Sequence, residues 1–134
     1  MTTSEKGEIA VAKVIIKCME LGYTPSRPIK EQSRYDLIID TGEKLLRAQV
    51  KYCDCKLDDS YIVTLTRKTN SRHTKKRIYN ISEIDILLVY IKELDCICWI
   101  TDNFWNNKTT IRLRNTPVAN NQPDRSHFVK DFKI

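Results

Sequence analysis

The sequence predicts an α/β (α+β) domain in which one N-terminal helix is followed by a succession of strands. Three observations carry that expectation. Residues 4–21 have helical apolar spacing between a capping signal and a glycine, residues 35–53 hold two β-like segments about a turn, and residues 84–91 form a continuous apolar run suited to a buried strand. A chain of 134 residues fits one domain, taken as 1–134, and can bury a core without disulfides or a structural metal.

The helix comes first. Thr2 followed by Glu5 offers a capping box, and Gly22 supplies a C-terminal stop. On the helical wheel Lys6, Lys13, Lys17 and Glu20 share a polar arc, while Val11, Ala12, Ile15, Cys18 and Met19 occupy the opposite one. Glu8 falls in the apolar arc, since Val11, Ala12, Ile15 and Met19 lie three, four, seven and eleven residues further on. Its carboxylate is therefore expected to aim at the core. After a connection containing Pro25 and Pro28, segments 35–40 and 45–53 flank the turn chemistry of Asp40-Thr41-Gly42-Glu43 and read as an antiparallel hairpin. Residues 61–66, rich in Val, Ile and Thr, read as a third strand. The run 84–91 is a fourth, and 96–101 follows after a short turn at 93–95. In the tail, 109–113 is a further strand and 123–132 holds a short helix, with Phe104 and Trp105 as candidate exposed aromatics.

The five cysteines are an odd number, and Cys53/Cys55 and Cys96/Cys98 are each one residue apart, so within a strand each pair points the same way without bridging easily. Reduced thiols acting as small core residues are expected, ahead of a four-thiolate zinc site, whose ligands usually stand two to four residues apart. The N-terminal residues lack the basic-then-apolar profile of a signal peptide, and no 18-residue apolar stretch exists. The expectation is a protein inside the cell with no membrane partner.

A net charge of +6 and a pI near 9.1 imply attraction to something acidic. The distribution is more telling than the total. Residues 66–80 read TRKTNSRHTKKRIYN, with Arg67, Lys68, Arg72, Lys75, Lys76 and Arg77 and no acid, which is a phosphate footprint or else a plain solvated basic loop. Arg34, Arg47, Arg112 and Arg114 are further candidate DNA contacts. His73 and His127 have no partner at ligand spacing and are expected at the surface.

The candidate chemistry lies in the hairpin. Gln49 and Lys51 share one face of a strand with Arg47, while Ala48, Val50 and Tyr52 supply the apolar face. Turn geometry lets Asp36 lie opposite, so that Asp36, Gln49 and Lys51 converge and Glu8 completes the cluster. Magnesium is usually held by one or two carboxylates with phosphate and water. Asp36 and Glu8 supply charge, Gln49 a neutral oxygen, and Lys51 an ammonium that holds the attacking water and offsets charge on a phosphate. A plainer reading stands beside it, in which Gln49 and Lys51 occupy a solvated strand face and Glu8 is a partly buried acid in an ion pair. The spacing alone leaves both open.

The order of these features resembles the PD-(D/E)XK nuclease superfamily, and most closely its group I intron-associated homing endonucleases. The matching succession is Glu8 on a first helix closed by Gly22-Tyr23, Tyr35-Asp36 opening a hairpin, and Gln49-Val50-Lys51 on its second strand. Ile84-Asp85 before Leu87-Leu88-Val89-Tyr90, then Asp95-Cys96-Ile97-Cys98-Trp99-Ile100, Ile111-Arg112-Leu113 and Asn120-Asn121-Gln122 extend it over most of the chain. The resemblance implies a restriction-endonuclease-like core with a mixed β-sheet and the N-terminal helix packed on it. It also implies Mg2+ or another divalent cation held at Asp36 and Gln49 with Glu8 nearby, and Lys51 as the catalytic lysine. Two departures stand out. Gln49 replaces the superfamily's second acid, as the intron-associated branch tolerates, and the stretch between Thr66 and Ile84 is short where many members carry a full helix. Its basic residues then suit a DNA-contacting ribbon or loop.

The function so implied is sequence-specific cleavage of double-stranded DNA by a homo-oligomer, dimer or tetramer, because the site to be read exceeds one subunit of this size. A Holliday-junction resolvase, a restriction or repair nuclease, and a catalytically idle DNA-binding subunit are the alternatives.

Overall fold

The computed structural model describes residues 1–67, 77–115 and 127–134. In chain order the elements are α1 (Thr3–Glu20), β1 (Thr24–Ser26), β2 (Leu37–Asp40), β3 (Leu45–Cys53), β4 (Lys56–Leu57), β5 (Ser60–Thr64), β6 (Thr66–Arg67) and β7 (Arg77–Ile78). They continue with β8 (Ile86–Ile91), β9 (Cys96–Thr101), α2 (Asp102–Trp105), β10 (Thr110–Arg114) and α3 (Val129–Phe132).

Helix α1 begins and ends where local chemistry dictates. The Thr2 hydroxyl accepts from the Glu5 N–H while the Glu5 carboxylate accepts from the Thr2 N–H, so both halves of the capping box form. At the other end Gly22 takes φ +82°, its N–H donates to Met19 O, and the Tyr23 N–H reaches back to Cys18 O, closing a Schellman turn.

The main sheet has the order β1-β2-β3-β8-β9 and is mixed: β3 and β8 run parallel, and every other pairing is antiparallel. The expected hairpin is present as β2 and β3, with Gly42 in the left-handed region at φ +90° and its N–H on the Asp40 side chain. The segment 61–66 is broken at Leu65 into β5 and β6. Strand β5 joins a second sheet of order β10-β5-β4, and β6 pairs with β7 as a two-stranded ribbon. Ile84 and Asp85 precede β8 rather than belonging to it. Strand β1, falling in the proline-bearing connection, was not foreseen. Its edge position explains why Pro25 is tolerated there. The tail helix is α3, while 116–126 lie outside the described residues.

The main sheet separates two apolar layers. One face carries Leu37, Ile39, Ala48, Val50, Ile86, Leu88 and Ile97 against α1. The other packs Leu87, Val89, Ile91, Cys98 and Ile100 against Tyr61, Val63, Ile111, Leu113 and Trp105. The buried stripe of α1 is Ala10, Val14 and Cys18, at four-residue spacing, and not the arc centred on Ile15 and Met19. Small residues on that stripe let the helix approach the sheet closely. Lys6 and Lys13, expected on the solvent arc, lay their stems over Tyr52 and Tyr90, with ammonium groups 5.7 and 5.5 Å from the ring centres and paired to Asp54 and Asp95. The helix is thereby rotated from the expected setting, leaving Met19 and Ile16 exposed. Trp105 is buried and Phe104 packs against the same core, so neither is the open aromatic surface expected of them. His127 is likewise half-buried, edge-on to Phe104 and Phe132. Among the described residues no helix is long and apolar enough to cross a membrane.

Candidate active site

Asp36 stands one residue before β2, where its N–H donates to Ala48 O at 2.9 Å and extends the β2–β3 ladder. Since Leu37 faces Ala48, this ladder brings Asp36 level with Gln49. Asp36 Oδ2 accepts two hydrogen bonds from β3, one from the Gln49 side-chain amide at 2.7 Å and one from the Val50 N–H at 2.8 Å. The carboxylate is thus locked onto the strand that carries the other two residues of the expected cluster.

Lys51 follows Gln49 by one strand period and emerges on the same face, away from α1. Its ammonium lies 4.9 Å from the centre of the Tyr79 ring, a cation–π contact with a buried aromatic. Burial pushes the lysine pKa below its ordinary value, and the negative charge of Asp36 pulls it part of the way back. Tyr79 was missed in the sequence because it merely closes a basic run. The contact joins residues from β3 and from the strand-to-turn junction after β7, which no local spacing reveals.

Glu8 does not point into the core. Its carboxylate side chain is 68% exposed and receives a 3.1 Å hydrogen bond from Arg27 Nη2. The rotation of α1 is the cause, since it replaces the expected stripe with Ala10, Val14 and Cys18. Glu8 nevertheless borders the site: with Arg27, Tyr35 and Asp36 it lines a cavity of about 460 Å3. A second cavity of about 460 Å3 is lined by Lys51, Asp54 and Thr64 together with Thr3, Lys6 and Gly7. The first two turns of α1 contribute to both walls.

Whether these residues suit a divalent cation turns on their donor chemistry. Among the described residues no group of three or more His, Cys, Asp and Glu side chains converges. One carboxylate with a neutral amide oxygen is still a fair set for a hard cation that takes its remaining ligands from phosphate and water. The Gln49 amide presents its nitrogen to Asp36, and a half-turn about its last bond exchanges that nitrogen for the carbonyl oxygen at the same place. Asp36 and Gln49 therefore fit such an ion, while Glu8 lines the same cavity as Asp36 with one oxygen bonded to Arg27.

The expected DNA contacts divide by environment. The side chain of Arg47 is spent inside the chain: Nε and Nη2 grip the two oxygens of Asp85 at 2.9 and 2.8 Å, and Nη1 and Nη2 reach the carbonyls of Ser82 and Ile81 at 2.7 and 3.2 Å. Arg47 is corrected from a DNA contact to a clamp between β3 and the turn preceding β8. A fork with fixed donors next to a carboxylate makes this pairing stronger than exposure to phosphate. Arg34 is exposed on the loop before Asp36, and Arg112 is exposed on β10. Arg114 is half-buried, its Nε shielded and without a hydrogen-bond acceptor among the described residues. Arg67 and Arg77 sit on the paired strands β6 and β7. Lys68, Arg72, Lys75 and Lys76 lie outside the described residues, as do His73 and Asn120-Asn121-Gln122.

The chain and its fold resemble known proteins. The family described as PD-(D/E)XK endonuclease matches residues 1–134. The fold is similar to the solved structure of a bacterial homing endonuclease, I-Ssp6803I, with a TM-score of 0.77 and 23% sequence identity, covering 99% of this chain and 89% of that one. At that identity the likeness is one of fold. No curated protein matches the chain.

Proposed function

Because this chain belongs to the PD-(D/E)XK endonuclease family, we propose that it is a magnesium-dependent endonuclease that cuts double-stranded DNA at a specific sequence, in the manner of intron homing. The observation that carries the reading is the locking of Asp36 onto Gln49 and Val50, with Lys51 beside them. Asp36 is thereby taken as the family's D and Gln49-Val50-Lys51 as its (D/E)XK, with Gln in place of the second acid.

Asp36 and Gln49 would hold the metal, with Glu8 lining the same cavity as Asp36. A divalent ion bound there supplies charge stabilisation of the phosphate and a more acidic water. Lys51 meets the phosphate with a charged donor on a half-buried face, where electrostatic stabilisation counts for more than in bulk water. Tyr79 keeps that ammonium over its ring. The protein acts as one domain over residues 1–134 and as a symmetric dimer or tetramer, since a duplex site of homing length exceeds what one subunit of this size covers. Its unpaired cysteines suit a reducing compartment inside the cell.

The test is cleavage of supercoiled plasmid with magnesium by Asp36→Asn and Lys51→Met. Each should lose about 10²-fold or more of the rate, the scale of a catalytic electrostatic group, while binding duplex DNA in calcium as the parent does. Unchanged cutting by either variant removes that residue from the site. Sequencing the ends produced by the parent should reveal one preferred site. Scattered ends, or preference for a four-way junction over linear duplex, would move the protein to a structure-specific nuclease.

A further inference from the structure

The loop from Arg27 to Tyr35 joins β1 to β2 and so delivers Asp36 to the site. It is tied at both ends. Arg27 is bonded to Glu8 on α1, and the Asp36 N–H is bonded to Ala48 O on β3. The Ser33 hydroxyl donates to Lys30 O at 2.9 Å and draws the middle of the loop together. Between these ties Ile29 is wholly open to solvent, with a relative exposure of 105%, while it lines the same cavity as Asp36 and Glu8. Along the loop Arg27, Lys30 and Arg34 stand against Glu31, while Glu8, paired to Arg27, and Asp36 are the acids on the cavity side.

Among the described residues the aliphatic side chain of Ile29 is left fully exposed. It is also of no use to a phosphate, which its charged neighbours serve better. Ile29 and Asp36 line one cavity, so a duplex seated with a phosphodiester at Asp36 would bring its neighbouring sugars and base edges close to Ile29. Apolar side chains gain from DNA only in a groove, against a thymine methyl or between base steps.

We propose that loop 27–34 is a DNA-contact element of this nuclease, in which Ile29 enters a groove of the duplex beside the scissile phosphate while Lys30 and Arg34 hold the flanking phosphates. This rests on the nuclease reading above and specifies how its substrate is gripped. The bond from the Asp36 N–H to Ala48 O fixes the end of the loop on β3, and Arg27 pairs with Glu8 on α1 at its start.

The experiment places a photoreactive label at position 29. In a Cys55→Ser background, which removes the exposed thiol, Ile29→Cys is coupled to an azidophenacyl group and irradiated with a pool of 40-base-pair duplexes in calcium. Adducts to DNA are expected, well above those from a label at Leu57→Cys, an exposed position on β4 in the second sheet. No excess over position 57, from a protein that holds the duplex, overturns the proposal. In parallel, Ile29→Asp should weaken duplex affinity by about tenfold or more while Ile29→Leu remains near the parent, because an acid loses the groove contact and repels phosphate. If Ile29→Asp instead changes the sedimentation of the free protein and leaves DNA affinity alone, the loop is a contact between copies and the proposal fails. A parent that binds no duplex removes the nuclease reading and this proposal with it, a result separable from the other two.

Discussion

Replacing Arg47 with Met should cost stability without costing DNA affinity. The substitution keeps much of the apolar stem and deletes four side-chain hydrogen bonds, two to the Asp85 carboxylate and two to the carbonyls of Ser82 and Ile81. Bonds to charged groups contribute about 1.5–3 kcal/mol each when dry and neutral ones about 1. Here both partners of the ion pair are about a third exposed, at 31% and 33%, so water recovers much of that. A loss of about 2–3 kcal/mol remains, or a fall of about 10 °C in Tm for a domain of this size. The pH dependence identifies the partner. Hydrogen bonding from Arg47 holds the Asp85 carboxyl below its ordinary range against the opposing effect of burial. Its stabilisation is therefore fully present above the unfolded value, near 3.8, and is lost as pH falls through the lower folded value. The gap in Tm between parent and variant should be steady from neutrality down to about pH 4 and close below it. Thermal unfolding followed by circular dichroism across that range measures both quantities. A variant as stable as the parent, or one whose DNA-binding salt slope drops by about one unit, would return Arg47 to the phosphate contacts.

Glu8→Gln should leave the unfolding free energy within about 0.5 kcal/mol of the parent, because an exposed ion pair with Arg27 contributes little; a large destabilisation would mean a structural acid after all. Thiol titration of the native protein at pH 8 should modify Cys55 quickly and the other four cysteines only after denaturation. Cys18, Cys53, Cys96 and Cys98 are buried, and burial pushes Cys53 up to about 11 and Cys98 up to about 12. Two or more fast thiols would contradict that packing. Replacing Lys75, Lys76 and Arg77 together with Ala should lower the log–log salt slope of DNA binding by about three units if each meets a phosphate. A slope and affinity at the parent value would assign the DNA to another surface.

What the sequence disclosed and what it withheld follow from the range of the interactions. The capping box of Thr2 and Glu5, the Gly22 stop and the turn at Asp40 to Glu43 are contacts within four residues, and each formed as expected. The Asp36 to Gln49 pairing was legible for the same reason, since a short hairpin leaves few registers. The rotation of α1 was not. It depends on Lys6 and Lys13 finding Tyr52 and Tyr90 on distant strands, so a wheel that ranks lysine as solvent-facing places the stripe wrongly. Arg47 misled similarly: its alternation with Gln49 and Lys51 was right, but Asp85, 38 residues away, decides what it binds. The parallel pairing of β3 with β8 also left no local mark, because an apolar run from 86 to 91 buries equally well beside any neighbour.

The substitution of Gln for an acid at position 49 has a physical logic once the site is assembled. Two carboxylates facing each other across β2 and β3 would repel in the absence of metal, and one would be forced to keep its proton. Gln49 instead donates to Asp36 at 2.7 Å, and the Val50 N–H donates to the same oxygen, so a single negative charge is held by two fixed donors. That charge is also what supports the half-buried ammonium of Lys51, whose burial alone would favour the neutral amine. Asp36, Gln49 and Lys51 thus bring together one anion, an amide hydrogen-bonded to it and a cation that feels its charge. For Gln49 to offer a metal its carbonyl oxygen, the amide would turn by half about its last bond. A glutamate there would need no such turn but would face Asp36 with a second negative charge. On the proposed reading, Gln49 would give up some charge at the metal in exchange for a site that holds together without one, and the substrate phosphate would supply part of the anionic cage.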